Sequence, residues 1–265
     1  MCPTFVDDYG RQQAQWQPRW LPAFKARLSQ YISGDLQLED GQWNDFAYIC
    51  GFESQIRGRL SPFCDTLTDA DLAAYEYQQD LRYWYGHGPG AAVSSRMMVP
   101  FLDALVKRFS EGRGVGPDGT SAFAVPKLLM NFLNDGQLNQ LAAAIGVFDE
   151  QQPLPTDRMP EDRLWRSSRI SPMRGTIAFE RLNCRNETYI RIRINEAVYP
   201  VPSCQDGPGR SCRVADYAKY VGDKLAAIGS FAQLCNATAP GTPSQVQGAS
   251  FLTNLNQKHL KIIHP

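Results

Sequence analysis

The sequence has no surplus of either charge. Lys plus Arg and Asp plus Glu number 27 each, so no net positive field gathers nucleic acid or an anionic membrane surface. Long hydrophobic runs are missing too: the longest nearly uninterrupted one, Leu141 to Phe148, falls far short of the roughly 20 residues that span a bilayer. Gly and Pro together make 39 of 265 residues, while 43% are apolar and 20% charged. That excludes a collagen-like or mainly disordered chain. Histidine is scarce. The three present, His87, His259 and His264, include no pair at metal-ligand spacing, and each reads as structural or superficial. Gly86-His87-Gly88-Pro89-Gly90 is not a dinucleotide fingerprint, because it follows a helical pattern and lacks the required spacing; it reads as a helix stop. The opening Met-Cys-Pro-Thr-Phe-Val-Asp-Asp-Tyr-Gly has neither the basic residues nor the apolar run of a secretory leader.

What is present is a chain long enough for about two domains, with seven cysteines. Cys50 and Cys64 bracket one polar loop, and Cys204 and Cys212 bracket another. Both spacings allow short-loop bridges, and buried free thiols remain the other reading. Two sequons, Asn186-Glu187-Thr188 and Asn236-Ala237-Thr238, are acceptors for N-glycosylation in a secreted chain. An odd cysteine count without a leader points to an upstream segment that carries the leader and the seventh cysteine's partner.

Periodicity predicts helices in the first 110 residues. Trp20, Phe24, Leu28 and Ile32 make one stripe after Pro18; a second helix covers Glu39 to Cys50. Thr68 caps a third, with Asp71 three residues on and Ala73, Tyr77, Leu81 and Trp84 inward. A fourth starts near Pro100 with Phe101, Leu105 and Phe109 inward, and Glu111 to Thr120 is a loop. Ala122 to Leu133 is predicted as a buried parallel strand, followed by the turn Asn134-Asp135-Gly136 and a helix from Gln137 to Phe148. Thr176 to Leu182 and Thr188 to Val198 form an antiparallel pair, with Ile190, Ile192 and Ile194 on one face and Arg191 and Arg193 on the other. A helix covers Val214 to Leu234, and the tail beyond is loosely held.

A strand, a polar turn and a helix make an α/β unit, whose ligands sit where the helix presents its N-terminal N–H groups. Asn134 and Asp135 stand there. An anion such as phosphate meets the helix dipole at that place, and Asp135 can pass a proton to a leaving oxygen. The same two residues also read as a plain helix cap. Arg57, Arg59, Arg166 and Arg169 are candidate phosphate contacts or simply solvated loop residues.

Several stretches together resemble fungal histidine acid phosphatases of the phytase type. They are Leu60-Ser61-Pro62-Phe63-Cys64-Asp65-Thr66-Leu67-Thr68, Tyr75 to Leu81, Tyr83 to Gly90, Phe179-Glu180-Arg181-Leu182-Asn183-Cys184, and Cys204 to Cys212. The resemblance runs in order along nearly the whole chain and covers about the C-terminal half of the family's usual length. It implies a phosphoglycerate-mutase-like α/β sheet domain, here incomplete, beside a mainly helical domain. The implied division is 1–120 helical, 121–240 the C-terminal part of the α/β domain, and 241–265 the tail. The family's chemistry needs an Arg-His-Gly-x-Arg-x-Pro motif for the nucleophile and a later His-Asp pair for phosphate contact and proton donation. This chain contains no Arg-His-Gly, and its Asn134-Asp135 aligns with the His-Asp pair. The resemblance thus implies Asp135 as proton donor, with Asn134 at the phosphate-contact position. It also implies disulfides Cys50–Cys64, Cys204–Cys212 and Cys2–Cys235, with Cys184 facing a cysteine of the absent half.

The resulting expectation is an extracellular phosphomonoesterase acting on substrates such as inositol phosphates, without metal or cofactor, and inactive as this chain alone. A non-catalytic phosphate or inositol-phosphate binding module is the alternative. Missing sheet strands would expose apolar faces around Leu128 to Leu133 and Ile190 to Ile194.

Overall fold

In the computed structural model, residues 2–6, 10–111, 113–115, 122–124 and 128–241 are described. Packing divides the chain into two units. One takes the described residues of Asp7–Gly86 and Gln151–Ser168; the other takes those of Met1–Val6, His87–Glu150 and Arg169–Pro265.

The first unit is helical. Helix α1 (Gly10–Leu28) contains Pro18 and Pro22, although the sequence places its start after Pro18. The aromatic stripe explains the difference, because it extends back to Trp16: Trp16, Trp20, Phe24 and Leu28 are all buried. The Trp16 indole N–H donates to the Ala74 carbonyl at 3.0 Å, and that of Trp20 donates to Gln78 Oε1 at 3.3 Å. This burial outweighs the hydrogen bond that an internal proline removes. Helix α2 (Asp40–Arg57) opens with a capping box between Glu39 and Gln42 and stops at Gly58, whose φ of 63° suits glycine. A 3-10 turn, Pro62–Thr66, is joined to α2 by the Cys50–Cys64 disulfide. Helix α3 (Asp69–Gly86) starts with the predicted reciprocal cap: the Asp71 N–H donates to Thr68 Oγ1 at 3.2 Å and the Thr68 N–H to Asp71 Oδ2 at 2.7 Å. Its buried face carries Tyr77, Leu81 and Trp84.

The segment Gln151–Ser168 folds onto α3. Trp165 meets Trp84 edge-on at 5.5 Å, and the Tyr77 and Tyr85 hydroxyls donate to the Pro155 and Leu154 carbonyls.

The second unit holds the remaining helices and the strands. Helix α4 is Ser94–Met97 and α5 is Val99–Glu111. In α5 the deepest side chains are Val99, Leu102 and Val106, one position on from the predicted Phe101–Leu105–Phe109 row. Strands β1 (Arg113–Val115) and β2 (Ala122–Ala124) pair antiparallel. Of the predicted buried parallel strand, Ala122–Ala124 instead form the antiparallel β2, residues 125–127 lie outside the described residues, and residues 128–134 have no regular structure. Leu128, Met130 and Phe132 are 73%, 65% and 88% exposed, as the resemblance implied. Helix α6 is Asp135–Ala144, and the short α7 is Ser167–Ile170.

Strands β3 (Ile177–Cys184) and β4 (Glu187–Ile194) form an antiparallel hairpin with Glu180 opposite Arg191. Its turn, Arg185-Asn186, has both residues at positive φ, which matches the right-handed strand twist. Short β5 (Ala197–Val198) and β6 (Cys212–Arg213) also pair with β4. Contrary to the expectation of an exposed face, Ile190, Ile192 and Ile194 are buried, at 2%, 3% and 1% accessible. Helix α8 (Val214–Ile228) packs against β4 and covers the face that missing strands were expected to leave open. The predicted helix to Leu234 breaks at Gly229 (φ 69°), leaving a separate α9, Phe231–Leu234. Tyr217 of α8 donates to the Ile145 carbonyl, and Lys224 donates to the Ala144 carbonyl at the C-terminal end of α6. Cys2–Cys235 and Cys204–Cys212 are disulfides, and Cys184 is a free, half-buried thiol. The predicted tail lies, from 242 onward, outside the described residues, as do His259 and His264.

Candidate active site

The N-terminus of α6 carries the two candidate residues. Asn134 precedes the helix in extended conformation (φ −79°, ψ 170°), and its Oδ1 accepts from the Gln137 N–H at 2.8 Å. Asn134 is therefore a true cap, satisfying one of the donors that a helix start leaves orphaned. The cap uses the carbonyl oxygen, and the side-chain NH2 is by its chemistry a donor. Asp135 is the first helical residue. Its Oδ1 accepts from the Gly136 N–H at 2.9 Å, and it is exposed, as is Asn134.

Behind them the helix is anchored by buried amides. Asn139, fully inaccessible, donates to the Asp135 carbonyl at 2.8 Å and to Ser171 Oγ at 2.9 Å; Gln140 donates to Ser94 Oγ. These contacts fix the first turn beneath an exposed Asp135. The arrangement presents an amide donor and an ionisable carboxyl side by side on a helix start whose partial positive charge favours an anion.

One neighbour was not expected from the sequence. The His87 ring comes within 3.4 Å of where a Gly136 Cβ would stand, and Asn134 Oδ1 within 3.5 Å of the same point. The Gly86–Gly90 turn, read as a helix stop, thus brings an imidazole to the α6 cap; the Phe5 ring stacks on it at 6.0 Å. No sequence signal links position 87 to 136, since nothing local relates them.

Each candidate arginine has its own setting. Arg57 is paired with Glu53 at 2.9 Å, and Arg166 with Glu76 at 3.3 Å. Arg59 and Arg169 are exposed. A buried charge cluster that the sequence did not disclose lies within the helical unit. Arg163, 1% accessible at its side chain, donates from Nε to Asp80 Oδ2 at 2.7 Å and from Nη2 to Glu76 Oε2 at 2.8 Å, with Tyr77 beneath its guanidinium. Asp80 also accepts from the Ser167 backbone N–H and hydroxyl. Burial pushes the Asp80 carboxyl up to about 6, against the pull of these donors. Its donors and acceptors satisfy one another, which fits a structural clasp between α3 and residues 160–168.

Both sequon asparagines, Asn186 and Asn236, are exposed and at positive φ. Among the described residues, no cluster of His, Cys, Asp and Glu could hold a metal ion, and no helix is long and apolar enough to cross a membrane.

Residues 2–195 match the Histidine phosphatase superfamily (branch 2). Acid phosphatase PHO12 of Saccharomyces cerevisiae is 28% identical over 97% of this chain and 52% of its own length. Phytase PHO112 of Candida albicans is 28% identical over 90% of this chain and 50% of its own. The crystal structure of the phytase from D. castellii superposes with a TM-score of 0.77 at 23% identity, over 92% of this chain and 54% of that one. The chain therefore spans about half the length of the curated relatives it matches, and its α/β architecture is that of the phytase fold.

Proposed function

The chain belongs to the histidine phosphatase superfamily, branch 2, and from that premise we propose that its chemistry is phosphomonoester hydrolysis of the acid phosphatase and phytase type. Asp135 is the proton donor to the leaving alcohol, Asn134 contacts the phosphate, and inositol phosphates are among the substrates. The single observation that carries this reading is an exposed Asp135 next to the cap residue Asn134 at the start of α6, two residues that the resemblance aligns with the family's His-Asp pair. An amide at 134 donates a hydrogen bond to an oxyanion but brings no positive charge; a bond to a charged partner contributes about 1.5–3 kcal/mol, so this substitution weakens the site without removing it. The nucleophile is another matter. With no Arg-His-Gly in its sequence, the chain has no imidazole in that role to take the phosphoryl group, and Asp135 then has no leaving group to protonate.

The 265-residue chain by itself is accordingly expected to give no turnover of p-nitrophenyl phosphate above background between pH 3 and 6. Turnover that Asp135→Asn abolishes would overturn the inactivity and keep the role of Asp135; turnover indifferent to that substitution would overturn both.

A second reading is a phosphate or inositol-phosphate binding module without catalysis. Asn134 favours it, because an exposed amide in place of the histidine can donate a hydrogen bond to an anion but carries no charge for catalysis. Calorimetric binding of inositol hexakisphosphate without hydrolysis supports this reading over the first. The three disulfides support an oxidising, extracellular location, and the exposed Asn186 and Asn236 are the proposed glycan acceptors.

A further inference from the structure

Among the described residues an aspartate precedes a glycine three times, at Asp40-Gly41, Asp135-Gly136 and Asp206-Gly207; Asp118-Gly119 lies outside them. In such a pair the main chain can rearrange with water as the only reagent, because glycine sets no side chain beside its own nitrogen. The structure treats the three differently. At the start of α6 the Gly136 N–H is turned to the preceding side chain and donates to Asp135 Oδ1 at 2.9 Å. Gly136 is the second residue of that helix, so no carbonyl four positions back within the helix holds its N–H. Asp135 is exposed, and residues 128–134 before it have no regular structure. Asp40-Gly41 also opens a helix, α2, but there the carboxylate is paired with Lys25 of α1. The Gly207 N–H donates to the Ser211 carbonyl at 2.8 Å, inside the loop that Cys204–Cys212 closes.

We propose that Asp135-Gly136 is a self-modification site, at which the folded chain converts Asp135 to isoaspartate. The Gly136 nitrogen adds to Cγ of the protonated Asp135 carboxyl. The carboxyl's hydroxyl leaves as water, taking the proton that the nitrogen gives up, and a five-membered imide joins the two residues. A second water opens the imide. Attack at the former side-chain carbonyl restores aspartate, whereas attack at the former main-chain carbonyl leaves the chain running through Cγ, with a carboxylate directly on Cα. Nothing is oxidised or reduced, and the water lost in the first step is regained in the second. Ring closure turns the Asp135 carbonyl out of its helical direction, so the first turn of α6 has to open. The brake on that opening is the Asn134 cap together with the buried Asn139 amide, which donates to the Asp135 carbonyl at 2.8 Å. A helix end opens at lower cost than the body of a fold. The product carries an extra backbone carbon at the first helical position, which displaces the carboxylate of residue 135 from its place beside Asn134. The conversion needs no catalytic role of Asp135; only its consequence for phosphate chemistry rests on the proposed function.

Peptide mapping of the 265-residue chain, kept folded for several weeks at body temperature and mildly acidic pH, tests this. Electron-transfer fragmentation places each isoaspartyl residue, and enzymatic methylation of isoaspartyl carboxylates counts them. Isoaspartate is expected at 135 several-fold ahead of 40 and 206. Gly136→Ala brings position 135 down to the level of 206, and the added Cβ has room, since His87 Cε1 and Asn134 Oδ1 stand 3.4 and 3.5 Å from it. Asn134→Ala removes the cap, raises the open population of the first turn and speeds conversion at 135 about 5-fold. Far-UV circular dichroism checks that both variants keep the fold. Conversion at 135 no faster than at 40 or 206 overturns the proposal. Conversion that Gly136→Ala leaves unchanged overturns it too, because closure at that nitrogen has to feel the added methyl. Conversion indifferent to Asn134→Ala overturns opening of the first turn as the route. A chain in which Asp135 proves to have no part in hydrolysis leaves each of these expectations as it stands, so the two readings fail separately.

Discussion

Arg163 shares one buried guanidinium between Asp80 and Glu76, so its removal strands two carboxylates, one of them inaccessible to water. Breaking a buried pair from one side costs about 3–5 kcal/mol, and Arg163→Met is expected to destabilise the helical unit by that order in urea titrations. Asp80 adds a dependence on pH with an unusual sign. Its carboxyl is raised to about 6 from 3.8 because burial disfavours the charge more than Ser167 and Arg163 favour it. The groups facing it are Arg163 and, across that guanidinium, Glu76; Arg166 also reaches Glu76. Between those two values the folded chain holds a proton that the unfolded chain has released. The contribution to stability is therefore fully present below about pH 3.8 and is lost as pH rises through about 6, on the order of 3 kcal/mol in all. Urea midpoints at pH 5 and 7 check this: acidification strengthens the wild type through this site, and Asp80→Asn removes that gain. A wild-type chain whose midpoint falls on going from pH 7 to 5, with no change of slope in Asp80→Asn, would show that the paired, charged carboxylate dominates instead. None of this was legible in the sequence, because an aspartate on an amphipathic helix reads as solvated. Its partner, 83 positions later, sits in an irregular segment without a periodic signal.

At the scale of elements, what the sequence disclosed depended on how local the cause was. The Thr68–Asp71 cap, the β3–β4 hairpin and the alternation of Ile190, Ile192 and Ile194 with Arg191 and Arg193 are set by residues within a few positions of one another, and they appear where the pattern puts them. The start of α1 was misplaced because a proline rule is local, whereas the burial of Trp16 against α3 is not. Residues 128–133 show the converse. Their composition is that of a buried strand, yet composition supplies no neighbouring strand, and Phe132 stands 88% exposed. The candidate site divides along the same line: the Asn134 cap was legible, while the approach of His87 to Gly136 was not. Two apolar residues from these elements should consequently behave in opposite ways. Ile192→Ala, on the face covered by α8, is expected to cost about 2–4 kcal/mol in denaturant titrations. Phe132→Ser is expected to stay within about 0.5 kcal/mol of wild type. A large loss at Phe132 would mean that something covers it in solution.

For the molecule as a whole, the disulfides tie together stretches of very different length. Cys2–Cys235 closes a separation of 233 residues, Cys50–Cys64 one of 14 and Cys204–Cys212 one of 8. If cross-links act by restricting the unfolded chain, their contributions rank by loop length, at about 5, 3 and 2.5 kcal/mol respectively. The longest also anchors the segment from Cys2 to Val6, whose Phe5 stacks on His87 beside the α6 cap, and Thr4 adds a hydrogen bond to the Leu234 carbonyl. Opening it should therefore lower stability most and also loosen the candidate site. The double variant Cys2→Ser/Cys235→Ser is expected to shift the guanidinium midpoint further than Cys204→Ser/Cys212→Ser. It should also raise amide exchange at Gly136 and Gln137, whereas the short-loop variant leaves exchange there unchanged. If the short-loop variant proves the more damaging, native contacts around Cys204 and Cys212 outweigh chain entropy, and the N-terminal segment contributes little to holding His87 and Asn134 together.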